Sequence, residues 1–387
     1  MVALATAVAL LVVGGVVLAG ARASGAGPLT ADGPPDATPG MLLGVEPYSR
    51  GIPSGARAWR MLYTSTDPAD DAPIRVSAVV VVPDRPAGGP RPVIAWAHGT
   101  TGVADECAPS TAGQPLFGVP ALETVVDEGW AIVATDYPGL GTPGQHPYLV
   151  GESAGRSVLD AVRAARDPRV PADLADEVVV WGHSQGGQAA LFAGQIAPAY
   201  APDVSLSGVA ALAPPTDLPA LVREVESSPT GRLYLAEAVV AWSRYYPDLD
   251  LTDALLPGRV AAVTRIADRC LTGPAALLTL AEASLLPDRI LRPGLWDRPA
   301  WRRALEANVP DDPIDVPLLI AQGGADIVVP AAQTRANVDA RCARGERVRL
   351  RVDAEADHLS VLMSAADELT AWTRARIAGS RGGAGCP

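Results

Sequence analysis

The sequence predicts an α/β fold: a mostly parallel central sheet flanked by helices, with a helical segment inserted between the sixth and seventh core strands. Three observations lead there. Short runs rich in Val, Ile and Ala, several of them apolar throughout, alternate with helical patterns from about residue 59; a sheet covered on both faces produces such runs. Between 214 and 312 the rhythm breaks and only helical patterns occur. At 387 residues the chain also exceeds the size at which one hydrophobic core stops growing.

The elements follow in order. Residues 1–23 carry no charge before Arg22, and Ala21-Arg22-Ala23 offers a cleavage site, so this segment reads as a signal peptide. A positive leading region is lacking, and about 20 apolar residues suffice to span a bilayer, so a retained membrane anchor is the alternative. Residues 24–45, rich in Gly and Pro, read as a linker or extended arm. Strands are expected at 59–66, 74–82, 93–98, 130–136, 177–182, 206–213, 316–323 and 347–354. Helices are expected at 120–129, 151–167, 186–197, 331–343 and 361–378. The first strands lack an intervening helix, which predicts an antiparallel start; later strand–helix alternation predicts right-handed crossovers. The core thus comprises 46–213 and 313–378, with a helical cap at 214–312 and a tail at 379–387.

Composition excludes several functions. Net charge is −12 with no basic run, which argues against a nucleic-acid partner. The sequence contains no lysine, which removes P-loop, Schiff-base and serine–lysine chemistry. No His-Glu-x-x-His or Cys-x-x-Cys pattern occurs, so neither a metal nor a cofactor is expected. The four cysteines, Cys107, Cys270, Cys342 and Cys386, are an even set in an exported chain and favour disulfides. Of three pairings, Cys107–Cys270 with Cys342–Cys386 is preferred. The first would tie the body to a later helical segment and the second would pin the tail; spacing alone does not choose.

The chemistry centres on Gly-His-Ser-Gln-Gly, Gly182 to Gly186, after the valine-rich run 177–182. A serine at the tip of a strand-to-helix turn projects its hydroxyl freely, and small residues two before and two after let strand and helix crowd together. Both of those positions, Gly182 and Gly186, are glycine. This marks Ser184 as the nucleophile of an α/β-hydrolase fold, whose partners follow in the order acid, histidine. Of four histidines (His98, His146, His183, His358) only His358 lies downstream, so it is the expected base. Asp326 ends a buried strand before a helix opened by Pro330 and is the expected acid. Asp353 and Asp357 stand too near His358 in sequence to be preferred. The oxyanion donors are expected to be the backbone N–H of Gln185 and that of Thr100, with Thr101 as alternate, in the loop after 93–98.

With these residues placed, the chain resembles the secretory lipase family of α/β-hydrolases over roughly residues 40 to 375. The most specific part is TDYPGLGTPGQHPYLVGESAGRSVLDAVRAAR, 135–166, with its Tyr-x-Gly-Leu-Gly and His-Pro-Tyr runs. The resemblance implies the same triad, a helical cap over the site and hydrolysis of acyl-lipid esters at a lipid–water interface. The expected protein is an exported serine carboxylic-ester hydrolase, a triacylglycerol lipase or lipid esterase. The alternatives are a short-chain esterase, an acyltransferase with the same triad, and a non-catalytic surface protein on this scaffold.

Overall fold

The computed structural model describes residues 38–273, 276–380 and 386; the expected signal segment 1–23 lies outside them. Nine strands form one sheet: β1 (Leu42–Tyr48), β2 (Ala56–Thr66), β3 (Pro73–Pro83), β4 (Arg91–Ala97), β5 (Ala131–Thr135), β6 (Leu174–His183), β7 (Leu206–Leu212), β8 (Leu318–Gly323) and β9 (Val348–Asp353). Their spatial order is β1-β2-β3-β5-β4-β6-β7-β8-β9. The strands β1, β2, β3 and β5 pair antiparallel, and the pairs from β5 through β9 are parallel. This is the α/β-hydrolase architecture that the sequence predicts.

One expected boundary is corrected. The arm read at 24–45 ends earlier, because Leu42–Tyr48 is the first strand. It is an edge strand, largely half-buried and bonded to β2 alone, so its Gly and Pro interrupt no central ladder and no apolar run announces it.

The helices are α1 (Pro109–Ala112), α2 (Leu122–Glu128), α3 (Gly151–Ala165), α4 (Gln185–Tyr200), α5 (Leu218–Val225), α6 (Pro229–Tyr245), α7 (Leu251–Ala254), α8 (Val260–Ala267), α9 (Ala276–Ser284), α10 (Pro299–Ala307), α11 (Ala331–Ala343), α12 (Val361–Ser364) and α13 (Ala366–Ile377). Successive strand residues point to opposite faces, and the core divides accordingly. Val178 and Val180 pack with Leu159, Val162 and Leu191 of α3 and α4. Val179 and Trp181 pack with Val125, Leu369 and Trp372 of α2 and α13. The middle of β6, Val178–Trp181, is therefore apolar at successive positions.

The six helices α5–α10 lie between β7 and β8, the sixth and seventh of the expected strands. They bury a core of their own around Leu235, Val239, Trp242, Trp296 and Trp301. Pro at the first turn and a side-chain cap start α5 (Asp217) and α6 (Ser228). Among the ties between this layer and the core, three stand at the strand end of the sheet. Trp242 Nε1 donates to the Tyr148 carbonyl (2.7 Å), Leu271 N–H donates to the Thr101 carbonyl (2.8 Å), and Cys107 is disulfide-bonded to Cys270. Cys342 and Cys386 form the second disulfide.

Candidate active site

The turn between β6 and α4 places Ser184 at φ 54°, ψ −121°, a conformation that a residue with a side chain holds only under strain. The strain is over-determined by its neighbours. A Cβ on Gly182 would sit 1.9 Å from the Gly186 carbonyl oxygen, and one on Gly186 would sit 1.9 Å from that of Ala97. Only glycine at both places lets strand β6, strand β4 and helix α4 converge. Ser184 N–H donates to the Leu212 carbonyl (2.9 Å), which fixes the tip against β7.

Three strand ends then bring three side chains together. Ser184 Oγ lies 2.9 Å from His358 Nε2. His358 Nδ1 lies 2.8 Å from Asp326 Oδ2. Asp326 follows β8 and is held by three further donors: Val328 N–H (2.8 Å) and Val329 N–H (2.9 Å) on Oδ1, and Gln322 Nε2 (2.9 Å) on Oδ2. Thr334 Oγ1 donates in turn to Gln322 Oε1 (2.7 Å). A carboxylate with four donors is an acceptor at every lone pair used, so the proton between Asp326 and His358 belongs to Nδ1. Nε2 is then a lone pair facing the serine hydroxyl, the state a general base needs.

His358 sits in a turn shaped by Asp357, whose Oδ1 accepts from Leu359 N–H (3.0 Å) and Ser360 N–H (2.8 Å). Backbone donors from Ser360 lead the effects that hold the Asp357 carboxyl below its ordinary range. Asp357 therefore builds the loop and does not face the imidazole ring nitrogens. The elbow residue His183 supports His358 from behind. Its Nε2 donates to the His358 carbonyl (2.8 Å), and burial brings its pKa down to about 3, which keeps it neutral.

The loop after β4 stands beside Ser184: a Cβ on Gly99 would be 3.7 Å from Ser184 Cβ. The Gln185 amide opens α4 and has no intrahelical acceptor; the Thr100 amide has none among the described residues. Thr100 Oγ1 contacts the Tyr148 hydroxyl (3.0 Å). Thr101 is buried, and its carbonyl accepts from the Leu271 N–H (2.8 Å). Asp136, buried at the end of β5, accepts from Ser77 Oγ (2.6 Å), Ser110 N–H (2.9 Å) and Ser110 Oγ (2.5 Å). It anchors α1 against the sheet; burial pushes its carboxyl up.

A narrow cleft, partly open to solvent, leads from Ser184 between α5 and α6. Leu218, Leu221, Val222, Val225, Leu235 and Ala238 line its apolar wall. Among the described residues no group of His, Cys, Asp and Glu is arranged to hold a metal ion. Sequence reasoning missed Gln322, Thr334 and His183. Only the strand-end position of Gln322 offered any signal.

Comparison with known proteins agrees with this architecture. The secretory lipase family model matches residues 119–234, which run from helix α2 through the elbow into α6. A secreted triacylglycerol lipase of Malassezia globosa is 25% identical over 355 residues, covering 85% of this chain and 74% of that protein. A probable inactive lipase of Mycobacterium tuberculosis is 28% identical over 208 residues, and the match spans 51% of this chain and less than half (46%) of that protein. The closed state of Candida antarctica lipase A shares the fold with a TM-score of 0.77 at 18% identity, covering 90% of this chain and 84% of that one. A family model centred on the elbow, lipase relatives along most of the chain and a common fold converge: what this chain is most consistently similar to is the secretory lipase family of α/β-hydrolases.

Proposed function

We propose that this chain is an exported serine carboxylic-ester hydrolase of the lipase type, working through an acyl-enzyme on Ser184. The observation that carries the reading is the unbroken run Ser184 Oγ, His358, Asp326 at 2.9 and 2.8 Å. His358 Nε2 takes the serine proton as Oγ attacks the ester carbonyl. The Gln185 and Thr100 amides receive the developing oxyanion. His358 then returns the proton to the departing alcohol, and water repeats the sequence on the acyl-enzyme. Asp326 holds the imidazole in the required tautomer throughout.

The apolar cleft between α5 and α6 fits an acyl chain, and α5–α10 act as the cap over it. Exposed Ile327 and Leu359 directly follow Asp326 and His358, and exposed Met363 lies one turn further on. An apolar rim beside the reacting groups supports work at a lipid surface. Two disulfides fit an oxidising compartment outside the cytoplasm. The similarity to a probable inactive lipase raises a non-catalytic reading. The intact hydrogen-bonded triad opposes it.

The test is hydrolysis of p-nitrophenyl and glyceryl esters of graded acyl length, dissolved and emulsified, with Ser184→Ala as control. Activity should fall by at least about 10³-fold in the variant. A variant that keeps most of the activity overturns the mechanism. Acetyl and butyryl turnover without any on emulsified triglyceride restricts the protein to a short-chain esterase. Transfer of the acyl group to an added alcohol in preference to water makes it an acyltransferase.

A further inference from the structure

We propose that His146-Pro147-Tyr148 is the positioning element of the oxyanion hole, holding one donor arm with each of its two polar side chains. The inference rests on the esterase reading above and concerns residues that reading leaves without a role.

The first arm is Gln185. His146 is 2% exposed, and its Nδ1 faces the Pro138 carbonyl at 3.0 Å. A carbonyl only accepts, so Nδ1 carries the hydrogen and Nε2 presents a lone pair. The Gln185 side-chain amide donates to that lone pair at 2.9 Å. Burial lowers the imidazole pKa to about 3, so the acceptor persists wherever the protein works. The residue whose main-chain N–H meets the oxyanion is therefore tethered by its side chain to a buried ring. That ring stacks on Tyr137 (centroids 5.9 Å apart, planes 19° apart), and Tyr137 donates to the His98 carbonyl (3.0 Å) at the start of the second arm.

The second arm is Thr100. The Tyr148 hydroxyl lies 3.0 Å from Thr100 Oγ1, while the Tyr148 carbonyl accepts from Trp242 of α6 (2.7 Å). Pro147 between the two side chains fixes its own φ and removes freedom from the tripeptide. The loop closes on itself at Gly139, φ 72°, where a Cβ would meet the backbone of Gln145 at 2.3 Å. Tyr137 and Leu149 at its two ends also hold positive φ, 70° and 57°. A stiff loop thus reaches both sides of the oxyanion site from one point. Oxyanion donors act only within a few tenths of an ångström of their place, and a shift near 1 Å costs about 10²-fold.

Two double-mutant cycles test this on the full chain, using a soluble p-nitrophenyl ester and a boronic acid as transition-state analogue. His146→Leu should lower kcat by about 10- to 100-fold with KM nearly unchanged, and weaken the boronate in parallel. His146→Gln, which can accept from Gln185 and donate to Pro138, should recover most of the loss. In a Gln185→Met background His146→Leu should cost less than about threefold, because the tether is already gone. Tyr148→Phe, a change of one oxygen, should lower kcat by about 3- to 30-fold alone and by less than about twofold in a Thr100→Val background. Equal costs in both backgrounds, or losses confined to KM, overturn the positioning role. Wild-type activity that survives Ser184→Ala overturns the esterase reading instead.

Discussion

Asp326 accepts four hydrogen bonds, and only one comes from His358. An asparagine there would be isosteric but would bring two donor hydrogens into a shell of donors. Its NH2 would face either His358 Nδ1, driving the imidazole to the other tautomer, or the Val328 and Val329 amides, donor against donor. Asp326→Asn should keep the fold, measured as an unchanged circular dichroism spectrum, and lose about 10³- to 10⁴-fold in kcat. A loss near tenfold would mean that the carboxylate only packs. Ser184 and His358 could be read from the chain because the elbow has a fixed glycine spacing and one histidine follows it. The roles of His146 and His183 could not. Each is defined by a partner remote in the chain, Gln185, 39 positions on, for one and the His358 carbonyl, 175 positions away, for the other.

The inserted helices carry their own conflict. Glu237 on α6 has no exposed surface and neither carboxyl oxygen has a partner among the described residues. Burial, reinforced by Asp268, raises its pKa well above the ordinary value. In the unfolded chain the group ionises near pH 4.3, but in the folded protein it holds its proton to higher pH. Stability is therefore complete below the unfolded value and drains away as pH rises toward the folded one. Glu237→Leu should stabilise the protein at pH 7 by about 1–3 kcal/mol, and the gap to wild type should narrow toward pH 4. Urea denaturation at several pH values measures both; a gap independent of pH would mean that the carboxyl is paired. The helical character of 214–312 was legible from its lack of strand patterns. The depth of Glu237 was not, since a lone acid among Leu, Ala and Val is equally compatible with an exposed face. Edge strand β1 escaped for the complementary reason: half-buried residues with a Gly and a Pro leave no periodic trace.

Across the whole molecule, the Cys107–Cys270 link joins the region beside the Thr100 loop to the inserted layer over a separation of 163 residues. Constraining so long a loop removes much freedom from the unfolded chain. Replacing both cysteines by alanine should cost about 2–5 kcal/mol in denaturant unfolding. It should also free the Thr101–Leu271 contact, so that kcat falls more steeply with temperature than in wild type. A variant of unchanged stability would show that the layer is held by its other ties. The sheet itself was readable because parallel strands are apolar on both faces; of the cross-layer ties the Cys107–Cys270 link was expected, and the Trp242–Tyr148 and Leu271–Thr101 hydrogen bonds were not, because each joins residues remote in the chain.

The cysteines occur in the order 107, 270, 342, 386, and the bonds join the first to the second and the third to the fourth. A chain that emerges from its amino end presents Cys270 to Cys107 before either later thiol exists. Cys342 and Cys386 then appear with only each other unpaired. Vectorial emergence thus selects the native pairs in time, and oxidation can finish without a reshuffling step. The same chain, reduced and denatured in full before refolding, loses that order. It meets all three pairings at once, and thiol–disulfide exchange must then do what the timing of synthesis does.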